Sequence, residues 1–397
     1  MSAALRTKPV RSARRRALIS RGWRAGLAVG LSSAVLFTLV GNRLIEHGYA
    51  VPEIVQLWNA ANSYTQLGGQ WSQQLFIILV QLVPGSSVHS LIVVTIIGAA
   101  FVQGFLAHDL VKRGWLPGLV AFCQGLTALH PVMLFLATNG SPMLLYAILA
   151  SFVIFALDRL EAIGDTQSLI VMGLALALLA ISWPNALFFI LPLLLLLPIA
   201  FRRATTIAGA AAMYIIVAAP GLIVLSAVAI GGTLFEVPWS QVAASWMAPL
   251  HGASPEIIAQ SGWLNDYGGR PLQALLRLLL LCAVIVPNTL VIAVRLAMDR
   301  AERTRPATAL AALLIPPVAG ALATGFWQIG SPWITIALSM LCSSAWAATA
   351  RFRRWERWLW AWTIVIGVII SWFTPLLWVT PNLQSWRDII LSSFHLR

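Results

Sequence analysis

The chain has 397 residues, of which 59% are hydrophobic and only 10% charged, whereas a soluble domain is about a quarter charged. That composition excludes a soluble globular fold. The net charge of +13 does not indicate nucleic acid either, because eight of the 26 cations precede residue 25 and the rest cluster in short breaks between apolar runs. This is the pattern of cytoplasmic loops facing an anionic leaflet. Apolar windows long enough to cross a bilayer as helices recur from Ala25 to Val379, so the class is all-α integral membrane. A β-barrel would show short alternating segments instead.

Residues 1–24 form a basic cytoplasmic segment. "RGWRAGLAVGLSSAVLFTLVG" continues it into an apolar run of span length with no A-x-A site soon after, which reads as an uncleaved first helix. Gly26-x-x-x-Gly30 within it suits close helix packing. Spans are expected near 25–42, 88–109, 115–138, 142–158, 168–183, 185–200, 204–230, 272–294, 307–326, 332–350 and 358–379. The stretch 168–200 is too long for one span. Arg159 before it and Arg202-Arg203 after it both belong in the cytoplasm, so it must cross an even number of times, breaking at Trp183-Pro184-Asn185. The expected membrane domain, 25–380, therefore has about 11 spans with its N-terminus inside. In that arrangement 21 of the 26 cations lie inside and 5 outside.

Two outer segments are long, 43–87 and 231–271. In the first, Arg43, Glu46 and His47 fall just beyond the membrane surface. Pro52 then opens an amphipathic stretch carrying Ile54, Val55, Leu57 and Trp58, expected as an interfacial helix. Gly68-Gly69 ends it, and "QQLFIILVQL" before Pro84-Gly85 is expected as a second one. The tail, 381–397, places Leu383, Trp386, Ile390 and Phe394 at helical spacing, expected as an amphipathic helix on the outer leaflet. The span interiors are almost free of charge. His130 before Pro131 reads as a packed histidine bonded to a backbone carbonyl freed by the proline. Cys123, Cys282 and Cys342 read as buried hydrophobes. The sequence has no HExxH, CxxC, P-loop or dinucleotide motif.

The layout of one span, a large outer loop and then "HPVMLFLATNGSPMLLYAILASFVIFALDRL" resembles the GT-C-type membrane glycosyltransferases that use polyprenyl-phosphate sugars. The residues carrying the resemblance are Pro131, Leu134, Ala137, Gly140, Ser141 and Arg159, and it covers roughly residues 25–230. It implies a GT-C-like fold and transfer of a sugar from a polyprenyl-phosphate donor to a glycan or lipid acceptor. The donor is a co-substrate, and no further cofactor is implied. The family's catalytic acid is an Asp just after the first span. Residues 41–71 contain no Asp, so Glu46 and Glu53 are the candidate acids.

Such transfer needs a carboxylate base, cations for the departing phosphate and aromatic faces for the sugar. Glu46 is the candidate base, with Glu53 behind it. Arg43, Arg270 and Arg277 are candidate phosphate partners, and Trp58, Trp239, Trp246 and Trp263 candidate stacking surfaces. Asp266 is placed to hold acceptor or pair with an arginine. Expected partners are the lipid-linked sugar, its acceptor, anionic lipids and polysaccharide-assembly proteins. The expected location is a bacterial inner membrane. The competing readings are a catalytically silent subunit of a polysaccharide assembly system, and a lipid or glycolipid transporter.

Overall fold

The computed structural model describes residues 8–49, 74–83, 89–182, 186–201, 206–234, 240, 271–298, 305–325, 332–378 and 381–393. These residues are all-helical, without strands. In chain order the helices are α1 (Lys8–Glu46), α2 (Gln74–Gln81), α3 (His89–Lys112), α4 (Pro117–Leu129), α5 (Pro131–Thr138), α6 (Met143–Ile163), α7 (Thr166–Ala180), α8 (Ala186–Ala200), α9 (Ile207–Leu234), α10 (Pro271–Ile285), α11 (Asn288–Met298), α12 (Pro306–Gly325), α13 (Pro332–Thr349), α14 (Arg354–Phe373) and α15 (Pro381–Ser393).

Five helices are long and apolar enough to cross a membrane, and seven crossings result if each of two bent pairs counts as one. The straight spans expected at 115–138 and 272–294 are these pairs: α4 and α5 meet at 67°, α10 and α11 at 104°. The cause is proline. Pro131 and Pro287 lack a donor, and a proline pushes the residue before it out of the helical region; His130 is accordingly extended, at φ −63° and ψ 128°. α7, α8 and most of α13 are shorter apolar helices of 10–17 residues. The first helix starts at Lys8 and so takes in part of the segment expected to precede it.

α1 and α3 pack backbone to backbone. A Cβ on Gly26 would lie 2.7 Å from the Gly104 carbonyl, and one on Gly104 equally close to the Gly26 carbonyl. Gly30 extends the same seam against Ala100. Small residues allow this approach, which is how membrane helices gain dispersion contacts in a solvent as apolar as themselves. α13 forms the centre of the bundle, and Ser339, Ser343, Ser344, Ala337, Ala345 and Ala348 along it are all buried. Its hydroxyls return mostly to their own helix, as with Ser344 Oγ to the Met340 carbonyl at 2.8 Å. Ser339 instead meets Cys282 Sγ at 3.1 Å. α9 packs on α7, where Gly173 lies under the Val217 carbonyl.

One end of the bundle, opposite the C-terminal end of α1, is locked by ions. Asp158 of α6 pairs with Arg305, and Arg295 of α11 with Glu356 of α14 at 3.6 Å. Glu161 is buried and caps α12, accepting from Ala307 N (3.0 Å), Thr308 N (3.0 Å) and Thr308 Oγ1 (2.9 Å). Arg113 donates to the Thr349 carbonyl, and Arg357 to that of Gly114. Asp165 caps α7 through Ser168 N at 2.8 Å. Hydrogen bonding from Ser168, then the nearby Arg159, holds its carboxyl below the usual carboxylate range. Because that value is depressed, the cap is complete above the ordinary carboxylate range and is lost as pH falls through the lowered value.

Gly26→Leu is expected to destabilise the protein by about 1–3 kcal/mol or more through overpacking. Gly125→Ala should be neutral, since nothing lies within 4 Å of the added carbon. Thermal unfolding in detergent compares the two.

Candidate functional site

The C-terminal end of α1 is set by a helix stop. Gly48 has φ +65°, its N–H bonds the Ile45 carbonyl at 2.9 Å, and Tyr49 N–H bonds that of Leu44 at 2.9 Å. This is a Schellman arrangement with glycine at the left-handed position. Leu44 is buried, and Tyr49 packs against the same core. The stop turns Arg43, Glu46 and His47 out of the bundle. Arg43 Nη1 donates to Glu46 Oε2 at 2.8 Å, with the two side chains 60% and 57% exposed. His47 Nδ1 lies 2.8 Å from the Arg43 carbonyl. A carboxylate in the last helical turn opposes the helix dipole, and Arg43 offsets that. An exposed pair of this kind contributes only about 0–1 kcal/mol, so Glu46 is available to another partner.

A second feature closes the same end. α15 lays Trp386 and Ile390 into the protein interior, not onto the leaflet as its spacing led us to expect. Trp386 stacks near Trp378 (6.1 Å between centroids, 13°) and Trp372 (6.3 Å, 17°). Trp333 meets Trp378 edge-on at 5.7 Å, and Phe135 meets Trp386 at 5.5 Å. Arg387 lies over the Trp378 ring at 5.3 Å. Trp333, Trp378 and Trp386 are buried, so these three form an aromatic cap joining α5, α13, α14 and α15 and not a lipid-facing belt.

Below the cap the two helix breaks converge on α14. His130 Nδ1 accepts from Val132 N–H at 3.3 Å, and Nε2 meets Ser371 Oγ at 2.8 Å. Ser371 Oγ donates to the Gly367 carbonyl at 2.6 Å, and Trp372 Nε1 to that of Leu129 at 3.1 Å. From the other break, the Ile285 carbonyl lies where a Cβ on Gly367 would approach to 2.7 Å. The first break thus closes on the Ser371 and Trp372 side chains of α14, as hydrocarbon requires, and the second packs its backbone against Gly367 of the same helix.

Of the residues singled out from sequence, Arg43 and Glu46 are brought together. Arg277 lies half-buried in the N-terminal half of α10, already engaged in an interaction. Glu53, Trp58, Trp239, Trp246, Trp263, Asp266 and Arg270 lie outside the described residues. Sequence reasoning missed the aromatic cap and Asp388, which is exposed on α15 beside Arg387. The signal available was the Trp-Arg-Asp run in a helix that packs on α1.

His130→Ala should leave the Val132 N–H without its side-chain acceptor and the Ser371 hydroxyl with only the Gly367 carbonyl, and lower stability by about 1–3 kcal/mol. His130→Asn, which can still cap, should recover part of this in thermal unfolding. Comparison with family models, with curated proteins and with solved structures gives no match for this chain.

Proposed function

We propose that this chain is a membrane glycosyltransferase of GT-C type that transfers a sugar from a polyprenyl-phosphate donor to a glycan or lipid acceptor on the outer face of a bacterial inner membrane. The observation that carries this is the Arg43–Glu46 pair, an exposed carboxylate and guanidinium 2.8 Å apart in the last turn of α1. The long outer segment begins directly after them. In the reaction the acceptor hydroxyl oxygen bonds to the anomeric carbon as the bond from that carbon to the phosphate oxygen breaks. The hydroxyl proton passes to Glu46, and polyprenyl phosphate leaves with the electron pair. Arg43 releases Glu46 and turns to the departing phosphate, with Arg270 and Arg277 as further cations. Glu53 and Asp266 orient the acceptor, and Trp58, Trp239, Trp246 and Trp263 give the sugar its stacking faces.

Eleven passes are part of the proposal. They comprise the five long helices, the two bent pairs, α7, α8, α13 and α14. Two crossings by α7 and α8 are supported by α2, whose Leu75 N–H bonds the Ile181 carbonyl at the C-terminal end of α7. That bond ties this end to the outer segment.

A lipid transporter is the second reading, because carriers build substrate sites at broken helices. Here the groups freed at the α4–α5 break are already held by His130 and Trp372, which favours a structural joint. A silent subunit is separated from an enzyme by turnover. With labelled polyprenyl-phosphate hexose and detergent-solubilised acceptor lipids, Glu46→Gln should lower turnover about 10²–10⁴-fold, the usual contribution of a general base, and keep donor binding. Unchanged turnover in Glu46→Gln removes the assigned base, and no turnover by the unaltered chain leaves the silent subunit.

A further inference from the structure

The segment Arg351–Trp362, "RFRRWERWLWAW", divides its arginines into two sets. Arg357 turns inward, donating to the Gly114 carbonyl and lying 5.5 Å from the Trp115 ring centroid. Arg351, Arg353 and Arg354 turn outward and are exposed. Among the described residues no carboxylate pairs with any of these three; Glu356, the nearest acid in sequence, is taken by Arg295 and by the Arg353 backbone N–H. The cluster sits at the start of α14, where the helix dipole is positive and repels cations. Three guanidinium groups there, without a carboxylate partner among the described residues, are a cost that an anion removes.

The apolar side of the same surface identifies the anion. Trp355, Trp358 and Trp362 are 61%, 49% and 62% exposed and follow one another at i, i+3 and i+7 down a single face. At about 1.5 Å per residue the stripe descends about 10 Å from the cations into the bilayer. A nucleic acid or an acidic protein would meet the arginines but leave the stripe uncovered. A phospholipid presents a phosphate and acyl chains in this order and spacing.

We propose that Arg351, Arg353 and Arg354, with the Trp355–Trp358–Trp362 stripe beneath them, form a binding site for an anionic phospholipid of the cytoplasmic leaflet. The guanidinium groups hold the headgroup phosphate, and the indole faces hold the first acyl carbons. The site secures α14, the helix on which both proline breaks close. It does not rest on the glycosyl-transfer reading.

The test uses the full chain, purified in neutral detergent and stripped of lipid. Phosphatidylglycerol added in mixed micelles should remain bound in native mass spectrometry and raise the melting temperature. Phosphatidylethanolamine at the same mole fraction should do neither. Each arginine near an anionic surface contributes roughly fivefold in affinity, so the triple variant R351Q/R353Q/R354Q should bind about a hundredfold more weakly. If the triple variant does not fold, the three single exchanges, at about fivefold each, make the same comparison. Equal stabilisation by phosphatidylethanolamine would mean an unselective lipid surface. Equal stabilisation by millimolar inorganic phosphate would mean a free-anion site, and unchanged phosphatidylglycerol affinity in the variants would mean that the arginines are not the site. Any of these overturns the proposal.

Discussion

Hydrocarbon offers no water to a backbone, so each place where a helix breaks or begins inside the bilayer must find its hydrogen-bond partners within the protein. The α4–α5 break illustrates how that constraint shapes the fold. Pro131 removes one donor, and the chain changes direction by 67°. His130 then accepts the Val132 N–H and reaches Ser371, while the Trp372 indole takes the Leu129 carbonyl. At the other end of the bundle, Glu161 satisfies two backbone donors and a hydroxyl at the start of α12. A buried carboxylate is costly unless it is fully bonded, and Glu161 has three donors. These contacts fix α14 against the α4–α5 break and α12 against α6.

The two ends of the molecule use charge differently. At one end, Asp158 with Arg305 and Arg295 with Glu356 are largely shielded from solvent, and each joins elements distant in the chain. Removing one partner of such a pair leaves an uncompensated charge, so these ions serve cohesion. At the other end, Arg43 and Glu46 are exposed and pair within their own helix turn, with no other ion-pair partner among the described residues. A carboxylate that contributes little to stability is free for chemistry, and the proposed transfer reaction uses it for that reason.

Much of this was legible in the sequence because it follows from local rules. Gly26-x-x-x-Gly30 announced a close helix contact, and α3 supplies Gly104 as its partner. Trp183-Pro184-Asn185 announced a division that separates α7 from α8. The proline after His130 announced a need for a partner, though neither the 67° nor the 104° bend can be read from a single residue pair. What remained illegible depends on pairings across the chain. Glu161 meets Ala307 and Thr308 far away in sequence, and nothing local marks it as a cap. The tryptophans were ambiguous for a different reason: an indole near a membrane surface has the same spacing whether it faces lipid or a neighbouring ring. The contact with α1 and α5 decided this for Trp386. At the candidate site, Arg43 and Glu46 were visible because both lie in one helix turn, whereas the proposed contributions of residues 50–73 and 241–270 depend on long-range placement.

Everything assigned to the two faces depends on which way the bundle is inserted. The native cysteines are all buried, so new ones can be read without removing them. His47 and Thr166 are both exposed and lie at opposite ends of the bundle. With His47→Cys and Thr166→Cys in intact cells, a membrane-impermeant maleimide should label position 47 at once and position 166 only after permeabilisation. Labelling of position 166 from outside, with position 47 protected, would put Glu46 in the cytosol and contradict both the outward-facing transfer site and the cytoplasmic lipid site.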